Sequence, residues 1–382
     1  MDRRGARLMA KRANGEGTKI VKVPDRDLYK ARYTDAGGKR RTVYGKTKGE
    51  VRKKLTEGLA DRDKGLTYDG DTVSLQEHLD RWLETSVKGS VKPNTYEAYE
   101  RMCRLHIKPS IGKVKLSKLT PGQVQGFYQD KLNSGLAPSS VRYMHATLHR
   151  ALKQAHRWRL VRENVAAATD PPIPQPEEIR PLTAEQVKVL LSEAHGERLE
   201  ALFAVAVTAG LRVGELCAIQ WSDLDMESNT LRVRRTLSRA KNGPRYTTPK
   251  NGKGRSIKLT NMATESLKRH RARQNPERLQ AGANRQDDDL IFCRQDGRPL
   301  TRDIVARSHL KPILKRADLP EDCTPHQLRH TCATLLLSRG VHPKFVQELL
   351  GHATIALTLD RYSHWIPNMG DQTAMAMEAA LS

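Results

Sequence analysis

The sequence lacks any apolar run approaching the roughly 18 residues that a membrane span requires. Its first residues, MDRRGARLMAKR, are basic and contain no apolar stretch of signal-peptide length. These absences argue against a helical membrane protein and against secretion. We therefore expect a soluble, cytoplasmic protein without a membrane partner.

Cysteine is scarce and shows no paired spacing. The five cysteines are odd in number, far apart and mostly flanked by apolar residues: Cys103, Cys217, Cys293, Cys323 and Cys332. This pattern predicts reduced thiols rather than a disulfide framework. His326 and His330 stand four residues apart, but no cysteine or carboxylate lies at ligand spacing around them. We expect no metal and no cofactor, and we interpret His330 either as a structural residue or, like Glu215, as one that supports the reacting side chains.

Acidic residues are few relative to basic ones. The 382 residues include 67 Lys and Arg against 43 Asp and Glu, which gives a formal charge of +24. The basic excess is 10 over residues 1–70, 7 over residues 71–176 and 7 over the remainder, so no single tail carries it. Several surfaces should therefore contact a polyanion, and charge alone does not distinguish DNA from RNA.

Chemically active side chains concentrate in residues 324–365, TPHQLRHTCATLLLSRGVHPKFVQELLGHATIALTLDRYSHW. His326 and Arg329 stand three apart in an apolar-periodic run, so a helix would place both on one face, where they could bind one anion. A second short helix ends at a glycine and presents His352. Tyr362 follows the polar turn LDR. Its hydroxyl, with an ordinary pKa of about 10, needs neighbouring cations to act as a nucleophile.

A distant segment, TAGLRVGELCAIQW, supplies a second arginine. Arg212 follows Gly210, and Glu215 lies one helical turn later. Two planar guanidinium groups suit a phosphate and can hold a pentavalent phosphorus without a metal ion. Each of these residues has an ordinary structural explanation when taken alone. If all five of Arg212, His326, Arg329, His352 and Tyr362 were merely structural, their joint occurrence would require five independent coincidences.

In their order and spacing, these motifs resemble the tyrosine recombinases, and specifically the phage-type integrases. The resemblance rests on Arg212 in TAGLRVGEL, His326 and Arg329 in HQLRHT, His352 in LLGH and Tyr362 in DRYSH. It implies a metal-independent DNA strand transferase in which Tyr362 attacks a backbone phosphate, forms a 3′-phosphotyrosyl bond and expels a 5′-hydroxyl. The two arginines would bind the nonbridging oxygens, where negative charge develops.

The resemblance also implies the remaining catalytic roles. A catalytic lysine is expected in the hairpin TPKNGKGRSI, at Lys250 or alternatively at Lys253, and it would protonate the leaving oxygen. His326 would accept the tyrosine proton, and His352 would hydrogen-bond the phosphate. Glu215 is expected to orient the first arginine rather than to react.

The pattern of elements predicts a mainly α protein with small β-sheets, an α+β fold in three domains. Residues 1–70 read as a basic tail, three short strands and a helix, and this part resembles an arm-type DNA-binding domain. Residues 71–169 read as a helical bundle that resembles the core-binding domain. The proline-rich stretch at 170–180 is a stiff linker, and residues 181–382 form the expected catalytic domain.

Basic side chains mark the surfaces expected to contact DNA. In the N-terminal strands they alternate with aromatic residues, which suits a strand face lying in a groove, although a solvated face is the alternative. On the helices they lie opposite the apolar stripes. The candidates are Arg32, Lys39, Arg40 and Arg41 in the strands, and Lys92, Arg101, Arg104, Arg142 and Arg150 in the helices.

The same resemblance implies the partners. These enzymes act as a homotetramer on double-stranded DNA attachment sites with core and arm sequences, and they pass through a Holliday junction. The C-terminal helix Gln372–Leu381 resembles the segment that docks on a neighbouring subunit, although an intrachain lid fits its composition equally. A DNA-bending accessory protein and an excision factor complete the expected partners for integration or excision of a phage or mobile element.

Two other functions fit part of the sequence. A topoisomerase-like enzyme would use the same residues to relax DNA as a monomer, but the separate N-terminal modules favour recombination at paired sites. A catalytically silent DNA-binding regulator would explain the charge and the modular layout. The complete set of motif residues argues against it, so we expect a site-specific recombinase.

Overall fold

The computed structural model describes residues 17–24, 26–63, 65, 72–175, 180–240, 243–249, 252, 254–282, 286, 288–365 and 377–381. The chain divides into two units, Met1–Pro176 and Glu177–Ser382, and the division falls within the stretch predicted to be a linker. As predicted, the fold is mainly helical with small antiparallel sheets. None of the described helices is long and apolar enough to cross a membrane.

Unit 1 begins with a three-stranded sheet and continues with helices. Its described elements are β1 (Val21–Lys22), β2 (Tyr29–Thr34), β3 (Arg40–Gly45), α1 (Lys48–Asp63), α2 (Leu75–Trp82), α3 (Pro93–Met102), α4 (Lys108–Ile111), α5 (Pro121–Asn133) and α6 (Pro138–Arg157). Single π-helical turns extend α2 over Leu83–Val87 and join α3 to α4 over Cys103–Ile107.

The sheet module of unit 1 is held by a turn and a small apolar core. β2 lies between β1 and β3 in an antiparallel sheet. In the β2–β3 turn, Asp35 Oδ1 accepts the backbone N–H groups of Gly37 and Lys39 at 3.0 and 2.9 Å. Val51 and Leu55 of α1 bury their side chains against the sheet. A core of this size gives the module little independent stability.

An ion-pair contact joins the sheet module to the helices of the same unit. Arg162 Nη1 lies 3.1 Å from Glu57 Oε2, and Arg162 Nη2 lies 2.7 Å from Asp61 Oδ2. Arg159 Nη1 also donates to the Gly65 carbonyl oxygen at 3.2 Å. The two N-terminal modules that the sequence separates near residue 70 therefore contact each other within one unit.

Caps and apolar spacing explain where the helices of unit 1 form. Ser74 is the N-cap of α2 and Thr120 is the N-cap of α5, each in a reciprocal capping box with the residue three positions later. Apolar side chains at helical spacing on α2 and α6 are buried and form the core of the bundle: Leu75, Leu79, Trp82, Val141, Met144, Leu148 and Leu152.

Unit 2 surrounds a buried helix with further helices and two small sheets. Its described elements are α7 (Ala184–Glu193), α8 (Glu200–Ala209), α9 (Val213–Leu216), β4 (Leu224–Asp225), β5 (Thr230–Val233), β6 (Thr236–Ala240), β7 (Gly243–Thr247), β8 (Arg255–Lys258), α10 (Asn261–Ala281), α11 (Arg302–Ile304), α12 (Lys311–Arg316), α13 (Pro325–Ser338), α14 (Pro343–Leu350) and α15 (Ala356–Tyr362). Strands β4, β5 and β8 form one sheet, and β6 and β7 form a hairpin.

Helix α8 is apolar on every side and packs against α10 and α13. The sequence analysis did not predict α10. The residues that α10 buries are mostly polar: Ala263, Thr264, Ser266, Leu267, His270 and Gln274. His270 and Gln274 form buried hydrogen bonds, so the helix can bury these side chains although apolar periodicity does not reveal it.

All five cysteines are buried and none forms a disulfide in the structure. Burial raises the pKa of four of these thiols to about 12: Cys103, Cys217, Cys323 and Cys332. Uncharged thiols are poor nucleophiles and poor metal ligands. These four cysteines therefore act as small apolar residues of the cores.

The apolar stripe of α6 predicts a large difference between two Leu→Ala substitutions in unit 1. Leu148 is 0% exposed and Leu105 is 48% exposed. Leu148→Ala should lower the free energy of opening of α6 by about 3 kcal/mol, because it leaves a cavity. Leu105→Ala should change it by less than about 0.5 kcal/mol. Hydrogen exchange of peptides from residues 138–157 measures both values, and equal effects would contradict this packing.

Candidate active site

Several segments of unit 2 meet in one small region, and their side chains are linked by hydrogen bonds and ring contacts. The segments and their residues are the α8–α9 turn with Arg212, α9 with Glu215, the start of β8 with Arg255, α13 with His326, Arg329 and His330, the residue after Gly351 with His352, and α15 with Tyr362.

Arg212 follows a helix end that requires glycine. Helix α8 stops at Gly210, whose φ is +59°, and a Cβ at this position would lie 2.7 Å from Leu350 Cδ2. The backbone N and Nη1 of Arg212 donate to Glu215 at 3.0 and 2.9 Å, and Nη2 donates to the Gly351 carbonyl oxygen at 3.2 Å. The side chain remains 26% exposed, so part of the guanidinium can face a substrate.

Glu215 is a fully buried carboxylate that two arginines share. Besides the bonds from Arg212, it accepts hydrogen bonds from Arg255 Nη1 and Nη2 at 3.1 and 2.8 Å. Burial opposes ionisation, but the hydrogen bonds and charge of Arg255 outweigh it, and the pKa of Glu215 is lowered from its ordinary value. The carboxylate is therefore charged at neutral pH and fixes both guanidinium groups.

Arg329 lies deeper, at 1% exposure. Its Nη1 donates to the Gly210 carbonyl oxygen and its Nη2 to the Leu350 carbonyl oxygen, both at 2.8 Å. These oxygens are at the C-terminal ends of α8 and α14, where helices present unpaired acceptors. Burial and the nearby Arg212 charge lower the pKa of Arg329 to about 9. A guanidinium has five N–H groups, so these two bonds do not exhaust its donors.

Tyr362 is the last residue of α15, whereas the sequence suggested a polar turn before it. The segment is helical because Thr358 and Tyr362, one turn apart, both pack inward. The Tyr362 side chain is 1% exposed and lies in an apolar cluster with Val346 and Leu350. The hydroxyl is therefore not reachable by a large substrate in this arrangement.

The hydroxyl of Tyr362 lies 2.5 Å from His330 Nδ1. The sequence analysis assigned proton acceptance to His326 and a structural role to His330. In the described structure the His326 ring is exposed and packs edge-on against His330, with 4.6 Å between the ring centroids. His330, not His326, is thus the histidine that contacts the tyrosine hydroxyl.

His352 also lies beside Tyr362. Its ring is parallel to the tyrosine ring, with 6.5 Å between the centroids. His352 Nδ1 lies 2.9 Å from the hydroxyl oxygen of the buried Thr358. That contact fixes the ring and leaves Nε2 as the nitrogen that can face a substrate.

Positive charge dominates the electrostatics of the site. Partial removal from water, and after it the neighbouring positive charges, lower the pKa to about 4 for each of the three histidines, His326, His330 and His352. Burial raises the pKa of Tyr362, although the Arg329 charge opposes it. At neutral pH the site therefore holds cationic arginines, neutral imidazoles and a protonated tyrosine. This combination suits an anion whose reaction takes a proton from the tyrosine.

The sequence analysis did not single out Arg255, because an arginine at the start of a short strand carries no motif. It also assigned the tyrosine proton to His326, whereas His330 is the histidine beside the hydroxyl. Lys250 and Lys253 lie outside the described residues. In the part of the chain that the structure describes, no group of three or more His, Cys, Asp or Glu side chains could hold a metal ion.

The candidate DNA-binding residues of unit 1 are mostly exposed. This holds for Arg32, Lys39, Arg40, Lys92, Arg101, Arg104, Arg142 and Arg150. Arg41 differs, since its side chain is 17% exposed and its Nε lies 2.8 Å from Asp35 Oδ2. Arg150 also donates to the Tyr99 hydroxyl at 3.1 Å. The sheet therefore offers Arg32, Lys39 and Arg40 to a partner, while Arg41 holds the turn.

Comparisons with known proteins match both units. The phage integrase family matches residues 180–368, and the N-terminal SAM-like domain of phage integrases matches residues 74–132. The tyrosine recombinase XerC-like protein of Caldanaerobacter subterraneus is 33% identical over 355 residues, which cover 87% of this chain and 90% of that protein. An integrase of Streptomyces ambofaciens is 28% identical, with 90% of each chain covered.

Solved structures share the fold. The Tn1549 transposon integrase in complex with a circular intermediate DNA has a TM-score of 0.66 and 22% identity, and the match covers 81% of this chain and all of that one. A lambda integrase tetramer bound to a Holliday junction has a TM-score of 0.59 and 21% identity, and the match covers 88% of this chain and 95% of that one. With a relative 33% identical along nearly its whole length, the chain belongs to the tyrosine recombinases of the phage integrase family.

Proposed function

We propose that this tyrosine recombinase cuts and rejoins DNA through Tyr362 and thereby integrates or excises a mobile element. The oxygen of Tyr362 attacks a backbone phosphorus, the bond to the 5′ oxygen breaks, and a 3′-phosphotyrosyl link forms. A 5′-hydroxyl of another strand then reverses the step. The observation that carries the proposal is the Tyr362 hydroxyl bonded to His330 beside a cluster of arginines.

Arg212 and Arg329 would hold the nonbridging oxygens of that phosphate. Glu215 fixes Arg212, and the backbone oxygens of two helix ends fix Arg329, so both donors are in place before the reaction. Preorganised donors of this kind are worth about 3 kcal/mol each in transition-state stabilisation. The charges that neutralise the phosphate would come from side chains, so cleavage would be metal-independent.

Proton transfer and the remaining phosphate contacts would fall to three histidines and a lysine. His330 would accept the tyrosine proton, because its Nδ1 already touches the hydroxyl. His352 would hydrogen-bond the phosphate through Nε2, and His326, at the exposed edge of the site, would do the same. Lys250, with Lys253 as the alternative, would protonate the leaving 5′ oxygen.

The burial of Tyr362 implies a movement on the way to reaction. At 1% exposure the hydroxyl cannot meet a DNA phosphate until α15 shifts. DNA binding would supply that shift, since the phosphate adds the negative charge that the arginine cluster lacks. The DNA-free chain would then be a resting form in which adventitious cleavage is suppressed.

DNA recognition would be shared among the proposed domains. Residues 1–70 would bind arm sites through Arg32, Lys39 and Arg40, and the helices of 71–169 would bind core sites together with the catalytic domain, 181–382. The solved relatives support this because they include DNA complexes and a tetramer on a Holliday junction. We propose the same homotetramer here, with residues 377–381, helical and exposed, docking on a neighbour.

The other candidate functions are not favoured. The curated relatives are named as recombinases and integrases rather than topoisomerases. A silent regulator would have no need of a nucleophile, a histidine and fixed arginines in one site. A DNA-bending protein and an excision factor remain proposed partners.

Tyr362→Phe should abolish the covalent adduct and leave DNA affinity within about twofold, because only the nucleophilic oxygen is removed. The substrate is a nicked suicide duplex that carries the core site recovered by sequencing integration junctions. Adducts are counted on denaturing gels and affinity by gel shift. Tyr246→Phe, which removes the hydroxyl of a surface tyrosine in the same unit, is the control. A normal adduct yield from Tyr362→Phe would place the nucleophile elsewhere.

The proton acceptor can be identified from pH dependence. Wild-type cleavage at saturating protein should be constant from pH 7 to pH 8, because a histidine with a pKa of about 4 is neutral throughout and Arg329, with a pKa of about 9, stays mostly charged. His330→Ala should be slower by about 10²-fold or more at pH 7. Its rate should rise about tenfold per pH unit, since only tyrosinate then reacts and the pKa of Tyr362 lies above 10.

His326→Ala is the matched variant for this measurement. We expect it to be slower but to keep the flat pH profile, since it leaves His330 beside the hydroxyl. If the steep profile belongs to His326→Ala and His330→Ala stays flat, then His326 is the proton acceptor and the sequence-based assignment is right.

The exposed basic side chains of the sheet predict that residues 1–70 bind a second DNA site, separate from the core site. In the full chain, Arg32→Gln/Lys39→Gln/Arg40→Gln should weaken binding to arm DNA, and the log–log salt slope should fall by about 0.9 for each phosphate that is no longer neutralised. Core DNA binding should not change. Arg101→Gln/Arg104→Gln/Arg142→Gln is the control and should weaken core binding instead. If both triple variants affect both DNAs equally, residues 1–70 are not a separate DNA-binding domain.

A further inference from the structure

Arg255, the first residue of β8, has no part in the reaction steps above, yet it is among the best-anchored side chains of the site. Its side chain is 13% exposed. Nε donates to the Leu349 carbonyl oxygen at 2.8 Å, and Nη1 and Nη2 donate to the two oxygens of Glu215 at 3.1 and 2.8 Å. A bidentate pair of this kind fixes direction as well as distance.

Arg255 binds the carboxylate of Glu215, which is the group that orients Arg212. Glu215 receives one side-chain bond from Arg212 and two from Arg255. Without Arg255 the buried carboxylate loses its strongest partner. It would then either take up a proton or pull Arg212 into a bidentate pair, and in both cases the Arg212 guanidinium would turn away from the phosphate.

Arg255 also contacts the segment that carries His352. Leu349, whose carbonyl oxygen it binds, lies in the last turn of α14. A Cβ at Gly351 would lie 3.0 Å from Arg255 Nη1, so the chain passes directly over the guanidinium. The same glycine accepts the bond from Arg212 Nη2. One side chain on β8 thus links the Arg212 turn to the end of α14.

We propose that Arg255 is a positioning residue of the phosphate clamp. It keeps Glu215 ionised and in place, so that Arg212 points at the scissile phosphate, and it holds the α14 end so that His352 faces the same atom. It does not contact DNA. The inference rests on the proposed function, and its effect should appear in the rate of cleavage rather than in DNA affinity.

Arg255→Met, which keeps the length of the side chain and removes its donors, tests the proposal in the full chain. Single-turnover adduct formation at saturating protein should fall by about 10²-fold, as for a misplaced catalytic group. The dissociation constant for core DNA should stay within twofold. Arg232→Met, on the neighbouring strand β5 with an exposed side chain, is the control and should cleave at the wild-type rate.

A substrate with a neutral scissile group distinguishes a loss of arginine positioning from a general loss of active-site structure. A methylphosphonate at the scissile position carries no negative charge, so the arginine clamp has little to stabilise. The defect of Arg255→Met should shrink at least tenfold on this substrate, as should that of Arg212→Met. The Glu215→Gln/Arg255→Met double variant should be no slower than the slower single variant, since both act through Arg212.

Several outcomes overturn the proposal. They are a wild-type rate for Arg255→Met, an equal defect on both substrates, or additive defects in the double variant. If Arg255→Met does not fold, the same comparison of substrates is made with Arg255→Lys, which keeps the charge and one donor.

Wild-type protein and Tyr362→Phe are run in parallel. If wild type forms no adduct, the proposed function fails; if it does and Arg255→Met matches it, only the positioning role fails.

Discussion

The active site depends on one buried carboxylate. Arg212 and Arg255 both bond to Glu215, and burial together with the nearby Arg212 charge lowers the pKa of Arg329 to about 9. Guanidinium groups packed this closely repel one another, and burial strengthens the repulsion. The protein offsets it with the charge of Glu215 and with carbonyl oxygens at the ends of α8 and α14. These bonds therefore fix the positions of the helices as well as those of the cations.

The remaining positive charge connects the fold to the chemistry. With one buried carboxylate among these arginines, the site stays cationic, and a phosphodiester would supply the missing negative charge. Burial, and after it the positive charge, lowers the three histidine pKa values to about 4. The imidazoles are therefore neutral and able to accept a proton at working pH. A single electrostatic arrangement thus provides both anion binding and proton acceptance.

Burial of Tyr362 adds a second constraint. The apolar cluster around it stabilises α15 against α13 and α14, and it raises the pKa of the hydroxyl that the reaction must deprotonate. Stability of the resting chain and reactivity of the nucleophile are therefore opposed. The proposed DNA-dependent shift of α15 would resolve the conflict, because the contacts that bury the tyrosine are local to one short helix.

The helices with apolar stripes and caps, the family and the motif residues all follow from the amino-acid sequence. The partners of those residues do not. His326 and His330 lie one turn apart on the same face of α13, so periodicity treats them alike, and the packing of α15 selects His330. Glu215 and Arg255 are 40 residues apart and meet only when β8 lies beside the α9 turn. Helix α10 was not predicted because most of the side chains that it buries are polar, and buried hydrogen bonds satisfy His270 and Gln274. Local periodicity reports which face of an element is buried, whereas the pairing of distant polar groups depends on how the elements pack.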